Sequence, residues 1–259
     1  MEIFSQIQNQ FSKFTNVFKK ESFQESTKQI SWNSLFENLE KLMEKIKTLF
    51  NENITFSSEK NIVGIFWKEI VYPIVQNSRT KFEFNKENRY LQKNITDFLS
   101  KTKVFFEQIL SLISQYFNII DSKKSNFKEK KWVDFNYFFV DHFSINIKSQ
   151  NLDVKTLLQI KKQASVILLH LGDIHRYIQY FTGNSEMEPH KISNYYQQAI
   201  QIYPKQEYAF NFFAILESEK NHNLLSLFFL VRGLFIRSSS KTIKGKSHEI
   251  IQSKPTCYG

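Results

Sequence analysis

Apolar residues recur at helical spacing along almost all of this sequence, and that pattern decides what it can fold into. From 32 to 50 the series is Trp32, Leu35, Phe36, Leu39, Leu42, Met43, Ile46, Leu49 and Phe50, one stripe of a helix that Ser31 is placed to cap. Ile3, Phe4, Ile7, Phe11, Phe14, Val17 and Phe18 mark another over 3–18. A third is predicted over about 59–79, where Pro73 should kink or break it. The longest runs over about 86–120, with Leu91, Ile95, Phe98, Leu99, Phe105, Phe106, Ile109, Leu112, Ile113 and Tyr116 on its apolar face. Only 6 Gly and 4 Pro in 259 residues interrupt such helices, and 27 Phe give them bulky faces to bury. The pattern predicts an all-α fold.

The polar, basic run "DSKKSNFKEKK", 121–131, predicts an exposed and disordered connection. Residues 132–149, dense in aromatics, fit a short helix and an extended chain equally. Asp153 then caps a helix to about 181, stopped by Gly183-Asn184, and Pro189 opens another that ends at Tyr203-Pro204. Helices over about 206–220 and 223–237 come next, and after Arg237 the periodicity is lost, as in a disordered tail. The chain thus divides into N-terminal helices 1–120, a connection 121–152, helical hairpins 153–237 and a tail 238–259. The last four helices read as two antiparallel pairs. Tyr196, Ala199 and Pro204 match the second helix of a tetratricopeptide-type repeat, and Leu171-Gly172 the first. In that reading Gly172 and Ala199 let paired helices approach closely.

Several function classes fall away. The sequence holds no Gly-rich phosphate loop, Gly-x-Ser-x-Gly, His-Glu-x-x-His or Cys-x-x-Cys. His142, His170, His175, His190, His222 and His248 show no metal spacing, and His170 and His175 fall on different helix faces. No catalytic residue, cofactor or metal is expected. The single Cys257 fits a reducing compartment, cytoplasm or nucleus. No apolar run reaches the length of a membrane span, so no membrane role is expected. The net charge of +10 attracts phosphate, in nucleic acid, acidic lipid or phosphorylated protein.

Two basic stripes are candidates for that phosphate. In "LLHLGDIHRYIQYF", 168–181, Leu168, Gly172, Arg176 and Tyr180 share one stripe, Asp173 and Tyr177 the next. Asp173 and Arg176 have the spacing of an ordinary helix ion pair. Alternatively Arg176 and Tyr177 hold an anion, for which the planar guanidinium fork is suited. On the third helix Lys68, Tyr72 and Arg79 fall near one face, provided Pro73 does not rotate its halves apart.

The run Leu171-Gly172-Asp173-Ile174-His175-Arg176-Tyr177, with Tyr195-Tyr196, Pro204, Phe210-Asn211-Phe212-Phe213-Ala214 and Phe228-Phe229-Leu230 after it, resembles the Est/SMG family. Its members are telomerase-associated Est proteins and SMG adaptors of nonsense-mediated mRNA decay. The resemblance spans about 60–237 and is most specific over 168–237. It implies a 14-3-3-like helical array merging into tetratricopeptide-like hairpins, with a groove that binds phosphoserine. Arg176 and Tyr177 match the family's phosphate-binding pair. The family's upstream Lys, five after the Trp, is missing, since five after Trp67 stands Tyr72; Lys68 and Arg79 are the cations within reach. Asn211 lies where a backbone-holding Asn is expected. The leading implication is a non-enzymatic adaptor for phosphorylated partners, such as a phosphorylated RNA helicase of the decay pathway. A telomerase accessory protein binding RNA or single-stranded DNA, and a scaffold that forms homo- or heterodimers with a related adaptor, are the alternatives. Family members usually continue into further hairpins, so a chain ending soon after Arg237 is expected to be a short member, a truncated product or an excised domain without a nuclease module.

Overall fold

The computed structural model describes residues 2–23, 32–122, 154–183 and 189–236, and among them every regular element is helical. In order these are α1 (Glu2–Phe23), α2 (Trp32–Glu52), α3 (Ile54–Glu59), α4 (Ile62–Phe66), a π-helical turn (Trp67–Val71) and α5 (Tyr72–Phe84). Then come α6 (Arg89–Ser122), α7 (Val154–Thr182), α8 (Pro189–Ile202), α9 (Glu207–Glu219) and α10 (Asn223–Phe235). The protein is all-α. The aromatic segment 132–149, the caps Ser31 and Asp153 and the tail from 238 lie outside the described residues, as does the basic run beyond Ser122.

Where side chains end helices, the reasons are local. Asn53 caps α3, its side chain accepting from the Phe56 N–H at 2.9 Å, and Asn88 accepts from the Leu91 N–H at 2.9 Å beside the start of α6. Gly183, at φ +66°, takes the left-handed conformation that stops α7. Between α8 and α9 the Gln206 N–H donates to the Tyr203 carbonyl at 2.9 Å, a turn whose second position Pro204 suits by its fixed φ.

The single helix expected over 59–79 is instead a broken series over 54–84. Asn61 adopts φ +50°, a left-handed conformation Asn tolerates, and this redirects the chain so that Ile62 and Val63 can bury completely. Pro73 neither kinks nor ends α5. The π turn lies immediately before that helix, with the Tyr72 N–H reaching back to the Trp67 carbonyl. Pro73 therefore falls in the first turn of α5, a position that its fixed φ suits.

At the centre is α7, packed against α3, α4, α5, α6 and α8. Ile160, Ala164, Ile167, Leu168, Ile174 and Phe181 are all fully buried, so α7 is covered on nearly every side. Its polar residues therefore enter the core along with the rest. The last four helices form two pairs, α7 with α8 and α9 with α10. In each pair a buried serine crosses to the carbonyl of a small residue. Ser165 Oγ donates to the Ala199 carbonyl at 2.8 Å, and Ser226 Oγ to the Ala214 carbonyl at 2.7 Å. Alanine on one helix brings its backbone within hydroxyl reach of the other.

Candidate functional site: an arginine–tyrosine cluster between α5 and α7

Gly172 is where α7 meets the Tyr196 ring of α8. A Cβ at Gly172 would lie 2.3 Å from Tyr196 Cε1 and 2.9 Å from Cδ1 and Cζ, inside any tolerable contact. The ring is fully buried and stacks on Phe212 of α9, with centroids 5.1 Å apart. So placed, the Tyr196 hydroxyl donates to Asp173 Oδ1 at 3.0 Å. Arg176 Nη2 donates to the same oxygen at 3.3 Å. Asp173 is 4% exposed and the Arg176 side chain 21%, so this is a largely buried pair rather than the surface pair that spacing allows for. Burial works against the Arg176 charge, but Asp173, with smaller contributions from Tyr196 and Tyr177, outweighs it and holds the guanidinium pKa above its ordinary value. Burial and the neighbouring Asp173 push the Tyr196 hydroxyl well up.

One residue on, Tyr177 is buried beneath the Arg176 guanidinium, 5.0 Å from its ring centroid. Burial and Asp173 raise the Tyr177 pKa, the positive charges of Arg176 and Arg79 draw it down, and Tyr72 adds to the rise. Arg79, Arg176 and Tyr72 thus all lie within electrostatic reach of one hydroxyl. Arg79 rests on the Tyr180 ring at 5.0 Å, and the Tyr180 hydroxyl donates to the Glu83 carboxylate. Phe82 of α5 packs edge-on against both Tyr180 and Phe181, which fixes the two helices beside one another.

The structure brings Arg79, Arg176 and Tyr177 together and leaves Lys68 apart. Lys68 is 81% exposed on its side chain, with its ammonium 3.3 Å from Glu69. The expected single face of Lys68, Tyr72 and Arg79 is not formed, because the wide π turn intervenes between Lys68 and the regular α5. Tyr72, half-exposed, lies within electrostatic reach of Tyr177. Asn211 is buried in α9, its Oδ1 without a hydrogen-bond partner among the described residues. Trp67 has a packing role, stacked on the His170 ring at 4.3 Å with the planes 10° apart.

Glu83 is the member of the cluster that sequence reasoning passed over, while Tyr180 was set on the Arg176 stripe without a role of its own. Arg79 and Glu83 stand four apart on α5, the spacing of a helix charge pair, and that was the available signal. The arrangement offers one arginine balanced by Asp173 and a second, Arg79, resting on the ring whose hydroxyl bonds to Glu83. The Arg176 Nε is buried with no partner among the described residues. Such a cluster can present hydrogen-bond donors to a phosphate or carboxylate. Among the described residues no three His, Cys, Asp or Glu gather as a metal ion would need. No helix formed by those residues is long and apolar enough to cross a membrane.

Residues 61–182 match the family model described as telomerase activating protein Est1, and residues 193–246 match that of the Est1 DNA/RNA binding domain. The first match takes in the members of the arginine–tyrosine cluster on α5 and α7, and Tyr196 falls in the second. The second takes in most of α8, all of α9 and α10, and a stretch beyond them. The chain belongs to the Est/SMG family. Among solved structures, a de novo designed helical repeat protein is 7% identical, with 96% of this chain and 92% of that chain covered. Its TM-score of 0.38 is too low for the likeness to bear on fold or function.

Proposed function

We propose that this protein is a non-catalytic, telomerase-associated accessory protein that binds single-stranded RNA or DNA through residues 193–246. The observation that carries this reading is the match of that stretch to a model described as a DNA/RNA binding domain. The net charge of +10 supports it, because neutralising phosphates and releasing their counterions supplies sequence-independent affinity. A site of action in the nucleus, or the cytoplasm before assembly, accords with this role. The test is fluorescence anisotropy of labelled single-stranded oligonucleotides with the purified chain. Binding that weakens steeply as salt rises is expected, and absence of binding at low salt would sink the reading.

The arginine–tyrosine cluster favours a second reading, in which a phosphoserine segment of a protein partner seats on Arg79, Arg176 and Tyr177. That ligand suits an adaptor of nonsense-mediated decay whose partner is a phosphorylated helicase, with or without pairing to a related adaptor. Arg176 over the Tyr177 ring, Arg79 over the Tyr180 ring one turn on, and the Arg176 Nε left without a partner among the described residues are its support. Arg79→Ala is the informative variant, since Arg79 is exposed and its loss leaves the buried Asp173 partnered. Phosphorylated peptide should bind more tightly than the plain one, and Arg79→Ala should abolish the difference. Equal binding of both peptides by the wild type removes this reading and leaves the first untouched.

A further inference from the structure

On α10 the residues Leu224, Phe228, Val231 and Phe235 succeed one another at intervals of four, three and four, which sets them in one stripe along the helix. The stripe faces water among the described residues, with Leu224 86%, Phe228 52%, Val231 39% and Phe235 82% exposed. Its rings are not loosely held at their base. Phe228 meets Phe229 edge-on at 5.5 Å, Phe229 stacks on Phe213 at 5.1 Å, and Phe213 meets the buried Tyr196 at 6.0 Å. Beside the stripe Arg232 is exposed, its guanidinium 5.1 Å from the Phe210 ring centroid.

We infer that this face of α10 is the surface on which the bases of a single-stranded nucleic acid stack, a proposal that rests on the nucleic-acid reading above and gives it a location. Charge chooses the occupant. From Asn221 to Lys246 the sequence carries Arg232, Arg237, Lys241, Lys244 and Lys246 without a single Asp or Glu. A polyanion is the partner that such a stretch attracts, and exposed aromatic faces beside cations are what unpaired bases recognise without regard to sequence. The dimensions agree. Phe228 and Phe235 are seven residues apart, about 10 Å along a helix rising 1.5 Å per residue. Three stacked nucleotides at about 3.4 Å each span the same length. The aliphatic Leu224 and Val231 extend the apolar strip that keeps water from the stacked bases.

Phe228→Ala and Phe235→Ala test this in the full chain, by anisotropy with labelled single strands and matched duplexes across a range of salt. Both side chains are exposed, so melting temperatures should stay near that of the wild type. Each substitution should weaken single-strand binding roughly five- to a hundredfold, the usual loss for one stacked base. Duplex binding should change little, since paired bases offer no free faces. Arg232→Ala should lower the slope of affinity against salt by about one ion. Wild-type binding that both Phe variants retain in full overturns the α10 surface and leaves the accessory reading standing. Failure of the wild type to bind any strand overturns both. Sedimentation supplies the remaining arm. A wild-type dimer that Phe235→Ala turns into monomer, with strand affinity unchanged, would assign the face to a second copy of the chain and overturn the proposal.

Discussion

Replacing Gly172 by alanine sets helix propensity against packing at one atom. At an open helical position the exchange stabilises by about 0.8–1 kcal/mol. Here the new methyl carbon would sit 2.3 Å from Tyr196 Cε1, and the ring has little room to yield, being fully buried and stacked on Phe212. Overpacking of this kind costs about 1–3 kcal/mol. Any displacement of the ring also strains its hydrogen bond to Asp173, and bonds to charged groups contribute about 1.5–3 kcal/mol. The net loss should be roughly 2–4 kcal/mol, read as a fall in the urea midpoint at unchanged m-value. In a chain of this size that corresponds to a melting temperature lower by about 5–12 °C. A double-mutant cycle isolates the cause. Tyr196→Leu removes the ring and is itself destabilising, but in that background Gly172→Ala should be neutral or stabilising by up to about 1 kcal/mol. Equal losses in both backgrounds, or a gain in the wild type, would refute the steric argument.

Burial holds His170 neutral, its pKa lowered to about 3, and with help from the charges of Lys103 and Lys191 it lowers His175 to about 4. The unfolded chain takes up protons that the folded one refuses. The stability tied to these neutral rings is therefore complete above the ordinary pKa of 6.5 and is lost as pH falls toward about 4 for His175 and about 3 for His170. His170→Phe should keep the stack on Trp67, unfold at higher urea near neutral pH, and lose less stability than the wild type on going to about pH 5. Parallel losses in the two proteins would show that His170 does not titrate on unfolding. Ser165→Ala removes a hydroxyl that donates to the Ala199 carbonyl and accepts from Gln206 Nε2 at 3.3 Å, so it should cost about 1–3 kcal/mol by denaturant titration. A loss within a few tenths would mean that water takes the place of that hydroxyl.

The long helices were legible because their apolar spacing needs only local information, and α2, α6, α9 and α10 lie within a few residues of where that spacing puts them. The region 54–84 was not, because the left-handed Asn61 and the π turn are responses to packing. Apolar residues in "NIVGIFWKEIVYPIV" suit one continuous helix as well as a broken one. At the cluster, Gly172, Asp173, Arg176 and Tyr196 each stood out singly, and the close approach at Gly172 was expected. The bond from Tyr196 to Asp173 was hidden, since a residue 23 positions away enters no helical period. Arg176 suited a surface ion pair as long as α7 was judged by that pair alone. The density of leucines and isoleucines on every side of "ASVILLHLGDIHRYIQYF" was the sign that this helix lies inside the protein and takes its charges with it.

The π turn makes residue counting an unreliable ruler across Trp67–Val71. With Tyr72 bonded back to Trp67 over five residues, the turn holds one residue more than an ordinary α turn, so the loss of any one residue between them would restore the α turn and leave α5 facing the cluster as before. Arg79 would stay on the Tyr180 ring while its distance in sequence from Trp67 shortened by one. A one-residue gap at this point between two relatives therefore leaves the same side chains facing the cluster, and a basic residue conserved in number alone need not be conserved in space.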